Sequence, residues 1–285
     1  MGAQGAITWE QAVRSLLGDP AQRQVVVDCY YDRPARDAAV RYWESPEWRA
    51  VRELLPRPPR LALDVGAGHG ISSVALALDG WNVTAVEPDP SELVGRGAID
   101  ALATELALPI RAVAGTAESM PGEDSSFDLV FARQVLHHAR ELTAACREIY
   151  RVLRPGGSFV AIRDHVVTRH RDRPAFFAAH PLHRLYGGEN AYRVDEYLSA
   201  LRGAGFDVRQ VLRSFDSVIN FAPHTRESLR REMLQRAGRV PLAAPLLGSA
   251  IRREATLDMV LRLMSRVDHR PGRLLSIVCC KPREA

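Results

Sequence analysis

The stretch that most limits what this chain can fold into is Leu61-Ala62-Leu63-Asp64-Val65-Gly66-Ala67-Gly68-His69-Gly70, which runs directly into Ile71-Ser72-Ser73-Val74-Ala75-Leu76-Ala77-Leu78. A short apolar run, a glycine cluster and then apolar residues at helical spacing read as strand, tight turn and helix. Glycines at alternate positions remove the Cβ atoms that would hold a ligand off the backbone. The helix that follows aims its free N–H groups at the same place. The pattern predicts a cofactor turn. It does not fit the dinucleotide fingerprint, whose third glycine would fall at Ile71. A nicotinamide oxidoreductase is disfavoured on that ground, and no second nicotinamide-type signature follows.

The next apolar run, Trp81-Asn82-Val83-Thr84-Ala85-Val86, ends in Glu87. Asp64-x-Gly66-x-Gly68-x-Gly70 followed by this acid resembles the class I S-adenosylmethionine-dependent methyltransferases. Two further stretches are similar to members related to the ubiquinone and menaquinone biosynthesis enzymes. Gly115-Thr116-Ala117-Glu118-Ser119-Met120-Pro121 with Ser126-Phe127-Asp128-Leu129-Val130 looks like their adenine-side loop and fourth strand, and Leu153-Arg154-Pro155-Gly156-Gly157 like the turn before strand five. The resemblance covers roughly residues 60–165 and implies S-adenosyl-L-methionine as cofactor. It further implies that Asp64, Gly66, Ala67, Gly68 and Gly70 border the methionine end and that Glu87 and Pro88 lie at the ribose. Thr116, Ala117 and Glu118 would meet the adenine, and Arg133 would close the set. Thr116 departs from the family, which usually places an aspartate there to accept from the adenine amino group.

From Arg60 onward strand-like and helix-like runs alternate, the mark of a parallel sheet covered on both faces. Strands are expected at Leu61–Gly66, Val83–Glu87, Ile110–Gly115, Phe127–Ala132 and Ser158–Arg163, with helices over 91–106 and 141–153. The expected fold is α/β: a Rossmann-like, seven-stranded, mostly parallel sheet with helices on both faces and added helical cap segments. Residues 1–58 read as a helical N-terminal lid and 59–223 as the methyltransferase core, with a pocket-covering insertion at about 166–193. Within the insertion, 174–192 reads as a loop mixing aromatic and polar groups. A strand-like alternation fills 206–221. Residues 224–272 read as a helical cap insertion, with Thr225 as an N-cap and a second helix over 249–267, and 273–285 as the last core strand.

Charge and cysteine content narrow the chemistry. The 38 basic residues outnumber the 34 acidic ones only slightly, and Lys281 is the sole lysine, which argues against a Schiff-base mechanism. The four cysteines form no C-x-x-C pair and read as reduced thiols in a cytoplasmic protein. Residues 1–10 lack a signal pattern, and the weakly polar run 240–251 is broken by Pro241 and Pro245, so no membrane span is expected.

Methyl transfer from a sulfonium is an in-line displacement that needs no metal, and orientation alone can supply about 7–11 kcal/mol. An oxygen or nitrogen acceptor also benefits from a base. His137 and His138 after strand four are the first candidate catalytic residues, and Arg163-Asp164-His165 after strand five is a second candidate cluster, with His165 as its catalytic residue. His180-x-x-His183 lacks nearby partners, and no metal is expected. The insertion arginines (Arg226, Arg230, Arg231, Arg236, Arg239, Arg252 and Arg253) read as a solvated face. The aspartate/asparagine-Pro-Pro-tyrosine type motif of base-amine methylation is absent after strand four, where Arg133-Gln134-Val135-Leu136 stands. A small-molecule acceptor is therefore expected, under a lid formed by 30–42 and 176–192. The alternatives are a nucleic-acid methyltransferase and a cofactor-binding protein that has lost catalysis.

Overall fold

The computed structural model describes residues 7–58, 60–180, 183, 189–237 and 251–283. Seven strands form one sheet: β1 (Leu61–Val65), β2 (Asn82–Val86), β3 (Ile110–Val113), β4 (Phe127–Arg133), β5 (Leu153–Val166), β6 (Asp207–Leu212) and β7 (Arg273–Cys280). Their order across the sheet is β3-β2-β1-β4-β5-β7-β6. β1 pairs in parallel with β2 and β4, β2 with β3, and β4 with β5, whereas β7 runs antiparallel between β5 and β6. The order reverses between β1 and β4, and open parallel sheets bind ligands beyond the strand ends at such a point.

Ala62, Leu63, Leu129, Val130 and Phe131 are fully buried, as the continuous apolar runs of a sheet covered on both faces require. One layer is α5 (Ile71–Leu78), with helices from the first 58 residues packed on it around Tyr42, Trp48 and Leu76. On the other face α7 (Leu142–Val152) presents Ala145, Cys146, Ile149 and Val152, with α9 (Val194–Gly203) beside it. The N-terminal segment comprises α1 (Trp9–Gly18), α2 (Arg23–Asp28), α3 (Ala35–Glu44) and α4 (Pro46–Arg52). Asp79, at the end of α5, anchors it: its carboxylate accepts from Trp43 Nε1 (2.7 Å), Trp48 Nε1 (2.8 Å) and Arg52 Nε (2.6 Å).

Four local expectations change. The helix after β2, α6 (Arg96–Glu105), starts five residues later than the periodicity suggests. Asp89 holds the N–H of Ser91, and the Ser91 hydroxyl takes those of Leu93 and Val94, so these side chains compete with the helix for its first turn. The 174–192 segment is not all loop: Pro174 falls in the first turn of α8 (Arg173–Ala179), where its missing N–H costs nothing. The alternating run 206–221 pairs only to Leu212. Ser217 then caps a short helix, α10 (Val218–Phe221), by accepting from Ile219 N–H. β5 is longer than expected because Leu153 already sits opposite Phe127.

Among the described residues the cap helices are α11 (Arg226–Ala237) and α12 (Glu254–Val267), packed around Phe221, Leu229, Leu257 and Leu261. α12 begins at Glu254, and residues 249 and 250 of the expected second helix lie outside the described residues. The Ser228 N–H donates to Thr225 Oγ1 at 3.1 Å, as a cap should. Arg226 pairs with Glu254 and Asp258, Arg230 with Glu254, Arg231 with Glu227 and Arg236 with Glu232. Arg239 lies outside the described residues. Among the described residues no helix is long and apolar enough to cross a membrane.

Candidate active site

β1 ends at the glycine turn, and Gly66, Gly68 and Gly70 all adopt left-handed φ (61°, 57° and 92°). A side chain at Gly68 would meet nothing within 4 Å, so the backbone there borders open space; one at Gly66 would sit 2.8 Å from Val135 Cγ2. Glu87, just past β2, is buried and accepts from Gly68 N–H (2.8 Å) and Asp89 N–H (3.0 Å). Burial raises its carboxyl pKa, partly offset by those two bonds.

Asp64 lies fully buried under the turn. Its Oδ2 accepts from the Ser73 hydroxyl at 2.6 Å, while Oδ1 has no hydrogen-bond partner. Burial pushes this carboxyl up to about 7, against the nearby Ser73 and Ser72 hydroxyls. An orphaned buried acceptor beside an open glycine cradle fits the ammonium and chain of a methionine-type ligand.

The structure places the remaining cofactor-side residues unequally. Ala67 is buried in the turn, and Pro88 is exposed with its carbonyl accepting from Arg96 Nη1 at 2.7 Å. Thr116 is exposed in a tight bridge with Ser119, Ala117 is buried, and Glu118 Oε1 accepts from Arg140 N–H at 2.8 Å. The Arg133 guanidinium turns instead to Glu47 of α4, with Nε 3.0 Å from Oε1, and lies 5.1 Å over the Tyr42 ring. Arg163 joins the same carboxylate at 3.4 Å. Glu47 is 2% exposed, and although burial opposes its charge, Arg133 and Arg163 hold its carboxyl below the usual range. Arg133 is thus occupied in tying the N-terminal segment to the end of β4.

That segment reaches over the glycine turn. Tyr30 carbonyl O lies 3.0 Å from His69 Nε2, and the Tyr31 ring packs on the His69 imidazole at 4.3 Å. Burial lowers His69 to about 4, so it is neutral and acts as packing. Tyr30, Gln134 and Arg163 take left-handed φ near 60° without being glycine. Strain of this kind clusters where surrounding structure dictates the backbone.

The three candidate histidines come together where β4 and β5 end: His137 and His138 follow β4, whereas His165, expected after the fifth strand, lies within β5 because β7 pairs with it there. His137 is 1% exposed, and its Nδ1 lies 2.9 Å from Asp164 Oδ1 and its Nε2 3.3 Å from Glu189 Oε2. Burial opposes its charge, but Asp164 and Glu189 outweigh burial and lift it to about 9. A cation held between two carboxylates is not a general base at neutral pH. His165, 4.8 Å from the His137 ring, has Nδ1 2.9 Å from the Gly272 carbonyl, and burial lowers it to about 3. The more exposed His138 stacks on His137 at 4.1 Å, with Nε2 3.9 Å from Glu189 Oε2. Glu189 is held down at about 2 by the surrounding imidazoles, against its burial.

Glu189 enters on the 166–193 segment, which leaves at Val166 and returns at Tyr192, where Val167 N–H donates to the Tyr192 carbonyl at 3.1 Å. The sequence points to Asp164 only as a member of the Arg163-Asp164-His165 cluster, and to neither Glu189 nor Glu47 as a functional group.

Residues 63–161 match the family described as "Methyltransferase domain". An uncharacterized methyltransferase of Mycobacterium tuberculosis is 40% identical over 108 residues, 38% of this chain and 41% of that protein. A ubiquinone biosynthesis O-methyltransferase of Methylobacterium nodulans is 32% identical over 113 residues, 40% of this chain and 44% of its own length. The chain thus spans less than half the length of these curated relatives. Among solved structures, the [4+2]-cyclase SpnF matches with a TM-score of 0.55 at 22% identity, over 87% of this chain and 82% of that one. Geranyl diphosphate C-methyltransferase from Streptomyces coelicolor A3(2) matches with a TM-score of 0.57 at 15% identity, over 97% and 89%. At these identities the structural likeness shows the fold.

Proposed function

We propose that this chain, whose residues 63–161 are a class I S-adenosylmethionine-dependent methyltransferase domain, transfers a methyl group to a small-molecule acceptor. The observation that carries the reading is the meeting of the Glu87 carboxylate with the Gly68 N–H at 2.8 Å, beside a glycine with open space in front of it. The acid and the turn come from different strands and share one rim.

S-adenosylmethionine supplies an electrophilic methyl group on a sulfonium, and its transfer discharges the positive sulfur. Glu87 would hold the ribose hydroxyls, exchanging its bond to Gly68 for charge-assisted ones. Asp64 Oδ1 would accept from the ammonium. Tyr30 and Tyr31 cover the turn, and the 166–193 segment brings Glu189 against the strand-end histidines. Together they exclude water and favour an in-line approach. His138, beside Glu189, is the residue left to take a proton from an oxygen or nitrogen acceptor.

The small-molecule class draws support from the names of the two methyltransferases above, which refer to ubiquinone biosynthesis and geranyl diphosphate. The four cysteines are free, which suits the reducing cytoplasm. Incubating the protein with methyl-labelled cofactor and a metabolite extract tests the reading. Label in a small organic product is expected; label only in nucleic acid, or none under any acceptor fraction, overturns it.

A further inference from the structure

The buried polar cluster at the ends of β4 and β5 holds more than acid–base chemistry needs. Asp164 and Glu189 are both buried (2% and 8% exposed), and the described ion-pair partners of the two carboxylates are imidazoles, with His137 shared between them. Two buried carboxyl groups and the imidazoles beside them thus gather several donor atoms away from water. Glu189 Oε2 is buried and makes no hydrogen bond.

The two histidines are arranged alike. His137 Nδ1 faces Asp164 Oδ1 at 2.9 Å, and His165 Nδ1 faces the Gly272 carbonyl at 2.9 Å. With Nδ1 engaged from behind in each, Nε2 is the ring nitrogen left to coordinate, and that of His137 lies 3.3 Å from Glu189 Oε2. Metal-bound imidazoles are oriented in this way by a carboxylate or carbonyl behind them. One ring nitrogen each of His137 and His165 and a Glu189 oxygen lie within 4.8 Å of one another. The His137–Glu189 separation of 3.3 Å matches the spacing, about 3.3–3.4 Å, of two donors on one tetrahedral ion with bonds near 2.0–2.1 Å.

We propose that His137, His165 and Glu189 form a site for one divalent first-row transition-metal ion, with Asp164 and the Gly272 carbonyl positioning the two imidazoles. A set of two imidazoles and a carboxylate suits zinc, cobalt or ferrous iron better than magnesium, which prefers oxygen donors. His138, 3.9 Å from Glu189, stands near as a further donor. On the methyltransferase reading, and resting on it, an open coordination position would take an oxygen of the acceptor. The pair His180 and His183 is not the core of this set; its three members come from three separate stretches of sequence, which is why spacing did not reveal them.

Titrating chelator-treated protein with Co²⁺ alone tests the site. One equivalent should bind with the visible absorption of low-coordinate cobalt, and Zn²⁺ should displace it. His165→Ala and Glu189→Gln should each weaken binding at least 10-fold, and Asp164→Asn by about 10–100-fold. X-ray absorption at the zinc edge of the unmodified protein, which needs no variant, should show two imidazole ligands. Failure of the parent to take up one equivalent, binding that survives both ligand substitutions, or a zinc shell without imidazole overturns the proposal. S-adenosylhomocysteine titrations on the same samples report separately on the glycine turn. A chain that binds the ion but not that ligand keeps the metal site and loses the methyltransferase reading.

Discussion

Glu87 Oε2 accepts a hydrogen bond from the Gly68 backbone N–H at 2.8 Å, tying the end of β2 to the turn after β1. The bond keeps a buried carboxylate on the rim where a ribose would lie and fixes the loop that would receive the rest of the cofactor. Its loss should be read in cofactor affinity. Glu87→Ala is expected to weaken S-adenosylhomocysteine binding by about 1–3 kcal/mol in calorimetric titration, the range for losing hydrogen bonds to a charged group. An affinity equal to the parent's would place the ribose elsewhere.

Gly68→Val should be worse. The position has φ of 57° with open space in front, so a branched side chain strains the backbone and fills the ligand's room. Binding should become undetectable while circular dichroism stays near the parent's. Retained affinity in a folded variant would contradict the cradle.

Asp64 predicts a pH dependence. Its carboxyl pKa is raised from 3.8 to about 7 in the folded chain, so its stabilising contribution is present below pH 4 and lost as pH rises through about 7. A ligand ammonium beside Oδ1 favours the ionised form. S-adenosylhomocysteine binding near pH 6 should therefore release a proton, and affinity should rise with pH and level off above about 7. Calorimetry in two buffers of different ionisation enthalpy reads the release directly. Asp64→Asn should abolish it, and unchanged release in that variant would remove Asp64 from the site.

Glu47 holds Arg133 and Arg163 in a buried cluster, so Glu47→Gln leaves two guanidinium groups without their carboxylate. A loss of about 3–5 kcal/mol in stability is expected, measured by denaturant unfolding. Because the folded pKa of Glu47 is depressed, its contribution is present above the usual carboxyl range and fades as pH falls through the folded value. A change under about 0.5 kcal/mol would mean that the pair is solvated.

His138→Ala should lower turnover by about 10²–10⁴-fold with cofactor affinity unchanged, the signature of a lost general base. A parent-like rate would assign the acceptor's proton to another group, or to none.

What the sequence made legible is what neighbouring residues encode. The turn after β1, the acid after β2 and the alternation that builds the sheet are local patterns, set by the period of a strand or helix and by glycine's φ. The contacts that shape the site join distant residues: Glu47 with Arg133, Asp164 with His137, Glu189 with both histidines. No periodicity reports such a pairing. It was therefore not apparent that Arg133 is drawn toward α4, or that His137 becomes a cation between carboxylates. The late start of α6 has a different cause, since Asp89 and Ser91 hold the backbone N–H groups that a periodicity argument assigns to a helix.

The most direct test is a calorimetric titration of the purified chain with S-adenosylhomocysteine and, separately, with NADH. The glycine turn with Ile71 in place of a third dinucleotide glycine, together with Glu87 on its rim, predicts one-to-one binding of S-adenosylhomocysteine and no heat from NADH. Tight NADH binding with no response to S-adenosylhomocysteine would contradict the account.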